Sequence, residues 1–116
     1  MNRPRGKPWV GFDLDGTLAY DTPGRFDQVT IGAPIPMMIE KVRWHIANGL
    51  KNGYEVRLFT ARAYNIDEAS KSAISNWLIK HIGVDLPITP SKDVDLLFYY
   101  DDKALQVVAN TGRTIV

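Results

Sequence analysis

The stretch WVGFDLDGTL, Trp9–Leu18, decides the fold, because an apolar run ends there in two carboxylates one residue apart. The apolar part has the length and the aromatic and β-branched content of a buried strand. Asp13 and Asp15 then fall at the C-terminal end of that strand, where open α/β sheets place their ligands. Two crowded carboxylates repel each other unless a cation joins them, so the pattern predicts a metal-dependent enzyme that uses an aspartate. The structural alternative is a strand-end turn with an Asx cap before Gly16.

The composition predicts one domain over residues 1–116. Hydrophobic residues make up 45% and charged residues 23%, as in ordinary globular proteins, and the net charge of +1 gives no general argument for nucleic acid. The absence of cysteine excludes disulfides and thiolate metal sites. No apolar run approaches the ~18 residues of a membrane span, and no signal peptide follows the basic start, so we expect a cytoplasmic, soluble protein. Residues 1–7 are expected to be a flexible leader, with contact to an anionic partner as the alternative.

Strand-like and helical patterns alternate along the chain. Strands are predicted at 8–12, 54–60, 86–89, 95–100 and 114–116. Helices are predicted from 35 to either 49 or 53, from 65 to 83, and from 103 to 109. Asn65 and Glu68 resemble a capping box at the start of the second helix. This alternation predicts a three-layer, Rossmann-like α/β fold with a parallel sheet, right-handed crossovers and helices on both faces.

The acidic and hydroxyl residues at the strand ends are far apart in the sequence. In a parallel sheet, however, every strand points its C-terminal end toward the same edge. We therefore expect Asp13 and Asp15 to meet Thr60 and the pair Asp101-Asp102 at that edge. This convergence is the main reason to look for a catalytic site there.

Four sequence elements occur in a fixed order: DLDGT at 13–17, Thr60 after VRLF, Lys92, and Asp101-Asp102 after LLFYY. This succession resembles the haloacid dehalogenase-like (HAD) phosphohydrolase superfamily, over nearly the whole chain from Trp9 to about residue 110. The words FTAR at 59–62 and DDKALQVV at 101–108 look like those of small capless members among phage and bacterial proteins.

The resemblance implies a Mg²⁺-dependent phosphatase. Asp13 is then the nucleophile that forms an aspartyl-phosphate, and Asp15 is the general acid and base. The resemblance implies that the Asp13 side chain, the Asp15 main-chain carbonyl and Asp101 hold the metal. Asp102 is expected either in the metal shell or as a helix N-cap. An aspartate at position 15 fits phosphatases and phosphomutases rather than dehalogenases or P-type ATPases.

The resemblance also implies phosphate contacts from Thr60, Ala61 and Lys92. Lys92 lies only nine residues before the last acidic pair, closer than in larger family members, and Lys80 and Lys103 are the alternatives. Arg62 is expected either to hold a second substrate anion or to form an exposed salt bridge. A solvated loop position is the structural alternative for Lys92.

The spacing of the motifs has no room for the cap domain of larger HAD phosphatases, so we expect an open site shaped by residues 19–33. By resemblance, capless members act on bulky phosphates, so the expected partner is a phosphorylated small molecule or the phosphorylated end of a macromolecule. The modest charge does not single out nucleic acid, and no membrane partner is expected. The sequence is also compatible with a homo-oligomer.

Three other functions are compatible with parts of this pattern. A nucleotidase or polynucleotide-end phosphatase shares every motif and differs only in substrate. A non-catalytic phosphate-binding or partner-binding module of HAD origin would keep the fold, although it would have no need of Asp13 and Asp15. A phospho-accepting receiver domain is disfavoured, because its acidic pair, Thr and Lys follow a different order.

Overall fold

Four parallel strands form the central sheet of the computed structural model, which describes residues 6–21 and 29–115. The sheet order is β3-β2-β1-β4, so β1 and β2 are interior and β4 is an edge strand. The elements in chain order are β1 (Trp9–Phe12), α1 (Pro36–Asn52), β2 (Glu55–Phe59), a 3₁₀ turn (Ala61–Ala63), α2 (Glu68–His81), β3 (Ile88–Thr89), β4 (Leu96–Tyr100), β5 (Gln106–Val107) and β6 (Thr114–Ile115). The prediction of an α/β fold with a parallel sheet is confirmed.

Helix α1 ends at the second of the two predicted stops. Gly53 has φ = 79°, a left-handed conformation that costs glycine little, and its N–H donates to the Gly49 carbonyl oxygen at 2.8 Å. Pro36 occupies the first turn, where a missing N–H costs nothing. The sequence signals at both ends of this helix therefore act as expected.

Helix α2 begins three residues later than predicted. Asn65 has φ = 53° and lies outside the helix, so the predicted capping box of Asn65 and Glu68 is wrong. Asp67 is the N-cap instead, and its Oδ1 accepts a hydrogen bond from the Ser70 N–H at 2.8 Å. An aspartate cap competes successfully here because its short carboxylate reaches an unpaired amide of the first turn.

The segment predicted as a helix over 103–109 is not helical. β5 and β6 form an antiparallel hairpin, with the Val108 N–H donating to the Arg113 carbonyl oxygen at 2.8 Å. Asn110 and Gly112 have φ of 64° and 76° in the connecting turn. Residues with positive φ favour a tight hairpin over a helix, and the helical spacing of apolar residues concealed this signal. The strand predicted at 114–116 therefore belongs to this hairpin and not to the parallel sheet, and Val116 lies outside the described residues.

Both long helices pack on one face of the sheet. The buried cluster contains alternate strand residues together with residues of both helices: Val10, Phe12, Val56, Leu58, Ile39, Val42, Ile74, Trp77 and Leu78. Side chains alternate across a strand, so these strand residues share a face. The successive crossovers run in one direction along the sheet, which places both helices on the same side when each crossover is right-handed.

The opposite face lacks the predicted second helical layer within residues 6–21 and 29–115. The connection between β3 and β4, residues 90–95, is too short for one. Asp93 instead accepts a hydrogen bond from the Trp9 Nε1 at 2.8 Å, and the Arg57 guanidinium carbon lies 4.8 Å from the Trp9 ring centroid. A short loop and one stacked arginine thus cover Trp9. None of the described helices has the length and apolar character needed to cross a membrane.

Candidate active site

Strands β1 and β4 bring three carboxylates together at the C-terminal edge of the sheet. The Asp13 N–H donates to the Tyr100 carbonyl oxygen at 2.9 Å, which joins the end of β1 to the end of β4. One carboxylate oxygen from each of Asp13, Asp101 and Asp102 lies within 4.8 Å of the others. The predicted convergence of these aspartates is confirmed, although they are separated by nearly ninety residues.

Gly16 and Thr17 both lie against Asp102 and help to place its carboxyl group. Gly16 has φ = 85°, and a Cβ there would lie 2.6 Å from an Asp102 carboxylate oxygen, so only glycine fits. The Thr17 hydroxyl accepts from the Asp102 N–H at 3.2 Å and lies 3.4 Å from Asp102 Oδ1. Both residues belong to the DLDGT motif, but the motif alone does not predict their contact with Asp102. They position Asp102 beside Asp13.

The Asp13 carboxyl group is partly buried and lies among other carboxyl groups. Burial raises its pKa from 3.8 to about 7; the Leu14 N–H, which donates to Asp13 Oδ1 at 2.8 Å, lowers the pKa, and the charges of Asp101, Asp102 and Asp15 raise it. A cation among these carboxylates relieves both the desolvation and the repulsion. Three carboxylates around one point suit a hard cation such as Mg²⁺, which prefers oxygen ligands. The donor set therefore fits the predicted metal.

The Asp15 side chain does not join that cluster and pairs with Arg62. Arg62 Nε lies 2.7 Å from Asp15 Oδ2, and Arg62 Nη2 donates to Asp15 Oδ1 at 2.8 Å. The Arg62 side chain is 4% exposed and that of Asp15 is 16% exposed. A bidentate pair of this kind holds a carboxylate in one orientation. The metal contact implied for Asp15 concerns its main-chain carbonyl and stays a prediction.

The end of β2 supplies Arg62 and the hydroxyl of Thr60. Thr60 is buried, its N–H donates to the Thr89 carbonyl oxygen at 3.0 Å, and its Oγ1 accepts from the Arg62 N–H at 3.2 Å. Arg62 Nη2 also donates to the Thr30 carbonyl oxygen at 2.8 Å, which ties the loop before α1 to the site. Arg62 is thus a buried partner of Asp15, and the expected exposed salt bridge is not what the structure has. Residues 22–28 of that loop lie outside the described residues.

A cleft of about 270 Å³ joins most of the predicted site residues. Its lining residues are Asp13, Asp15, Asp21, Thr60, Ala61, Arg62 and Lys103. A larger cavity of about 650 Å³ lies beside β4, but among the described residues that line it Asp101 is the only acidic one, so the chemistry favours the smaller cleft. The cleft therefore brings Asp13 and Asp15, the residues after β2 and the positive charge of Lys103 to one place.

The three candidate lysines occupy different surroundings, and Lys80 lies on α2 and is not a lining residue of the cleft. Lys103 lines the cleft, whereas Lys92 is not one of its lining residues. The Lys92 Nζ lies 5.5 Å from the Tyr99 ring centroid, on β4. A phosphate-binding role for Lys92 stays a prediction, and the geometry favours Lys103 as the nearer cation. Sequence spacing could not distinguish Lys92 from Lys103, because the two residues flank β4 on either side.

Comparisons of the chain with protein-family models, with curated proteins and with solved structures gave no significant match. The proposed function therefore rests on the motifs and on the geometry of the cleft.

Proposed function

We propose that this protein is a Mg²⁺-dependent phosphatase of the HAD type that hydrolyses phosphate monoesters through Asp13. The observation that carries the proposal is the meeting of Asp13, Asp101 and Asp102 within 4.8 Å at the C-terminal edge of a parallel sheet. The order of the motifs and the neighbouring Thr60 support it. The proposal includes a Rossmann-like HAD core without a cap.

Asp13 is the nucleophile in this mechanism. One Asp13 oxygen attacks phosphorus, the bond between phosphorus and the ester oxygen breaks, and an aspartyl-phosphate forms. Asp13, Asp101 and Asp102 would hold Mg²⁺, which would supply positive charge that offsets the repulsion between the carboxylate and the phosphate. Water then attacks the same phosphorus, which releases inorganic phosphate and restores Asp13.

Asp15 moves the protons of both steps. It protonates the leaving ester oxygen in the first step and accepts a proton from the attacking water in the second. Arg62 contacts both Asp15 oxygens and fixes the orientation of that carboxyl group toward the cleft residues. Arg62 is therefore a positioning residue, because it acts through Asp15.

The phosphoryl oxygens require donors on the opposite side of the cleft. Thr60 and Ala61 line it at the end of β2, and Lys103 supplies a positive charge. Lys92 is the alternative source of that charge. A cation and hydroxyl at these positions stabilise the charge that develops on the transferring group.

The test is hydrolysis of p-nitrophenyl phosphate by the wild type and by Asp13→Asn, each with Mg²⁺ and with a chelator. We expect turnover only in the wild type with Mg²⁺, while circular dichroism shows both proteins folded. Turnover by Asp13→Asn would refute the nucleophile assignment. Mg²⁺ binding without turnover on any phosphate would instead support a non-catalytic module.

A nucleotide or a phosphorylated nucleic-acid end is the second candidate substrate, and two exposed tyrosines favour it. Tyr20 precedes Asp21 of the cleft, Tyr64 follows the turn that contains Arg62, and their exposed fractions are 57% and 78%. Exposed aromatic rings beside an anion site are suited to stacking on a base. We expect Tyr64→Ala to raise KM for nucleoside monophosphates but not for p-nitrophenyl phosphate; an equal change for both would contradict this candidate.

A further inference from the structure

The edge strand β4 exposes apolar side chains on both faces of the sheet. It pairs with β1 on one side, and no strand within residues 6–21 or 29–115 pairs with its other side. Its sequence, LLFYY, contains none of the charges or prolines that commonly protect an edge. Leu97 is 54% exposed and Phe98 is 49% exposed, and adjacent residues of a strand point to opposite faces. The edge is therefore apolar above and below.

The hairpin and helix α1 extend this apolar surface. A groove of about 650 Å³ separates residues 98–101 from residues 104–107 of the hairpin segment. The His45 ring lies between two exposed aromatic rings: its centroid is 4.9 Å from that of Trp44 and 5.6 Å from that of Phe98. The exposed apolar residues of β4, of the hairpin segment and of the neighbouring part of α1 are called the β4 face below; they are Trp44, Leu97, Phe98, Leu105, Val107 and Ile115.

The β4 face is large enough to form a specific interface. A half-exposed large apolar side chain offers on the order of 100 Å², so six of them offer on the order of 600 Å². A standard interface buries about 800 Å² on each partner, and the main chain of the strand adds to the side-chain area. Monomers rarely leave an apolar patch of this size uncovered.

We propose that the β4 face is the interface of a symmetric dimer of this chain. An edge strand is complementary to an identical strand after a two-fold rotation, which makes the two strands antiparallel. With the axis at Phe98, Leu97 of each subunit faces Tyr99 of the other and Leu96 faces Tyr100, so the paired residues of β4 are uncharged. Asp95 and Asp101 oppose each other just beyond the ends of the strand. A second copy provides both a strand that pairs with the open edge of β4 and an apolar surface that fills the groove. This proposal does not depend on the proposed phosphatase activity.

The first test is the mass of the protein in solution by light scattering or sedimentation. The wild type is expected at twice the 13.0 kDa of the chain. Leu97→Lys is expected to be a monomer, because it places a charge in the apolar interface. The matched control is Ile79→Lys, since Ile79 is 53% exposed on α2, outside the β4 face, and should leave the dimer intact.

Circular dichroism of both variants separates dissociation from unfolding, and Leu105→Lys replaces Leu97→Lys if the latter does not fold. A wild type that stays monomeric at concentrations on the order of 100 µM would overturn the proposal, because an interface of this size should then be saturated. Dissociation by Ile79→Lys but not by Leu97→Lys would place the interface elsewhere and would also overturn it.

The second test uses the absence of cysteine from the chain. Phe98→Cys places a single thiol near the two-fold axis, where directly opposed residues of antiparallel strands are about 4.5–5.5 Å apart between Cα atoms. That separation allows a disulfide, so mild oxidation should yield a covalent dimer. Ile79→Cys should not cross-link at the same rate. Equal cross-linking of the two variants would contradict the edge-to-edge arrangement.

Discussion

Strands β1 and β4 are neighbours that both end in carboxylates of the aspartate cluster, yet their surroundings are opposite. β1 is interior and all four of its residues are buried, whereas β4 is an edge strand with Leu97 and Phe98 half exposed. The carboxyl group after β1 has a raised pKa because of burial, while Asp102 after β4 is exposed. The difference teaches that neighbouring strands of one sheet can present carboxyl groups in opposite settings: the interior strand desolvates Asp13, and the edge strand leaves Asp102 open to solvent.

The largest expected effect is a difference in activity between substitutions at the end of β1 and substitutions at the end of β4. Asp13→Asn is expected to lower kcat at least about 10³-fold, since it removes the nucleophile. Asp102→Asn is expected to weaken Mg²⁺ binding while keeping much of the activity at saturating Mg²⁺. The measurement is kcat on p-nitrophenyl phosphate against Mg²⁺ concentration. Recovery of Asp13→Asn at high Mg²⁺ would remove the distinction between the two strand ends.

The same comparison can be made for stability. Phe12 is fully buried and stacks on Tyr100 at 4.5 Å, so we expect Phe12→Ala to lower the free energy of unfolding by about 3–5 kcal/mol. Phe98→Ala should cost about 1 kcal/mol in the monomer, because half of the ring is already exposed. Urea unfolding at low protein concentration measures both. Equal losses would show that β4 is packed as tightly as β1.

The two lysines offer a third comparison. Lys103→Ala is expected to lower kcat/KM about 10²-fold, since it removes a charge from the cleft. Lys92→Ala is expected to have a smaller effect, because its Nζ lies over the Tyr99 ring. A larger loss in Lys92→Ala would assign the phosphate contact to Lys92, as the motif order alone predicts.

Because Arg62 pairs with Asp15 through two hydrogen bonds, replacing it with lysine is expected to lower the rate although the positive charge is kept. Arg62→Lys keeps the positive charge but not the two-pronged geometry, so kcat should fall about 10-fold while KM changes little. Arg57→Lys is the control, because Arg57 is on the opposite face of the sheet beside Trp9. A change confined to KM would indicate that Arg62 binds substrate directly.

The smallest expected effect is a pH dependence of stability. The folded protein holds the Asp13 proton more tightly than the unfolded chain does, so stability without metal should fall as pH rises from about 4 to about 7 and then level off. Mg²⁺ competes with that proton, so the rise in Tm on adding Mg²⁺ should grow over this range. Thermal melts near pH 5 and pH 8 measure it. Asp13→Asn should abolish the difference; a constant Mg²⁺ effect in the wild type would contradict it.

Much of the fold could be predicted because the signals are local. The apolar runs of β1, β2 and β4 and the stop at Gly53 depend on residues next to each other in sequence. The hairpin at 106–115 was missed because its apolar spacing also fits a helix. The choice between them depends on Asn110 and Gly112, whose positive φ values close the turn.

The candidate site was predictable only where a general rule connects distant residues. Parallel strands share one edge, so Asp13 and the pair Asp101-Asp102 could be placed together. No such rule connects Arg62 with Asp15. Their pairing depends on the 3₁₀ turn after Thr60, which directs the arginine side chain back toward the end of β1.

The sequence by itself determined the α/β class, the strands that end in carboxylates and the order of the motifs, because each is encoded in neighbouring residues or in a rule of sheet topology. Only the tertiary structure decided that Arg62 holds Asp15, that Lys103 lines the cleft, that both helices share one face and that β4 is an exposed apolar edge. Each of these depends on where side chains from distant segments meet, and that is set by packing over the whole molecule.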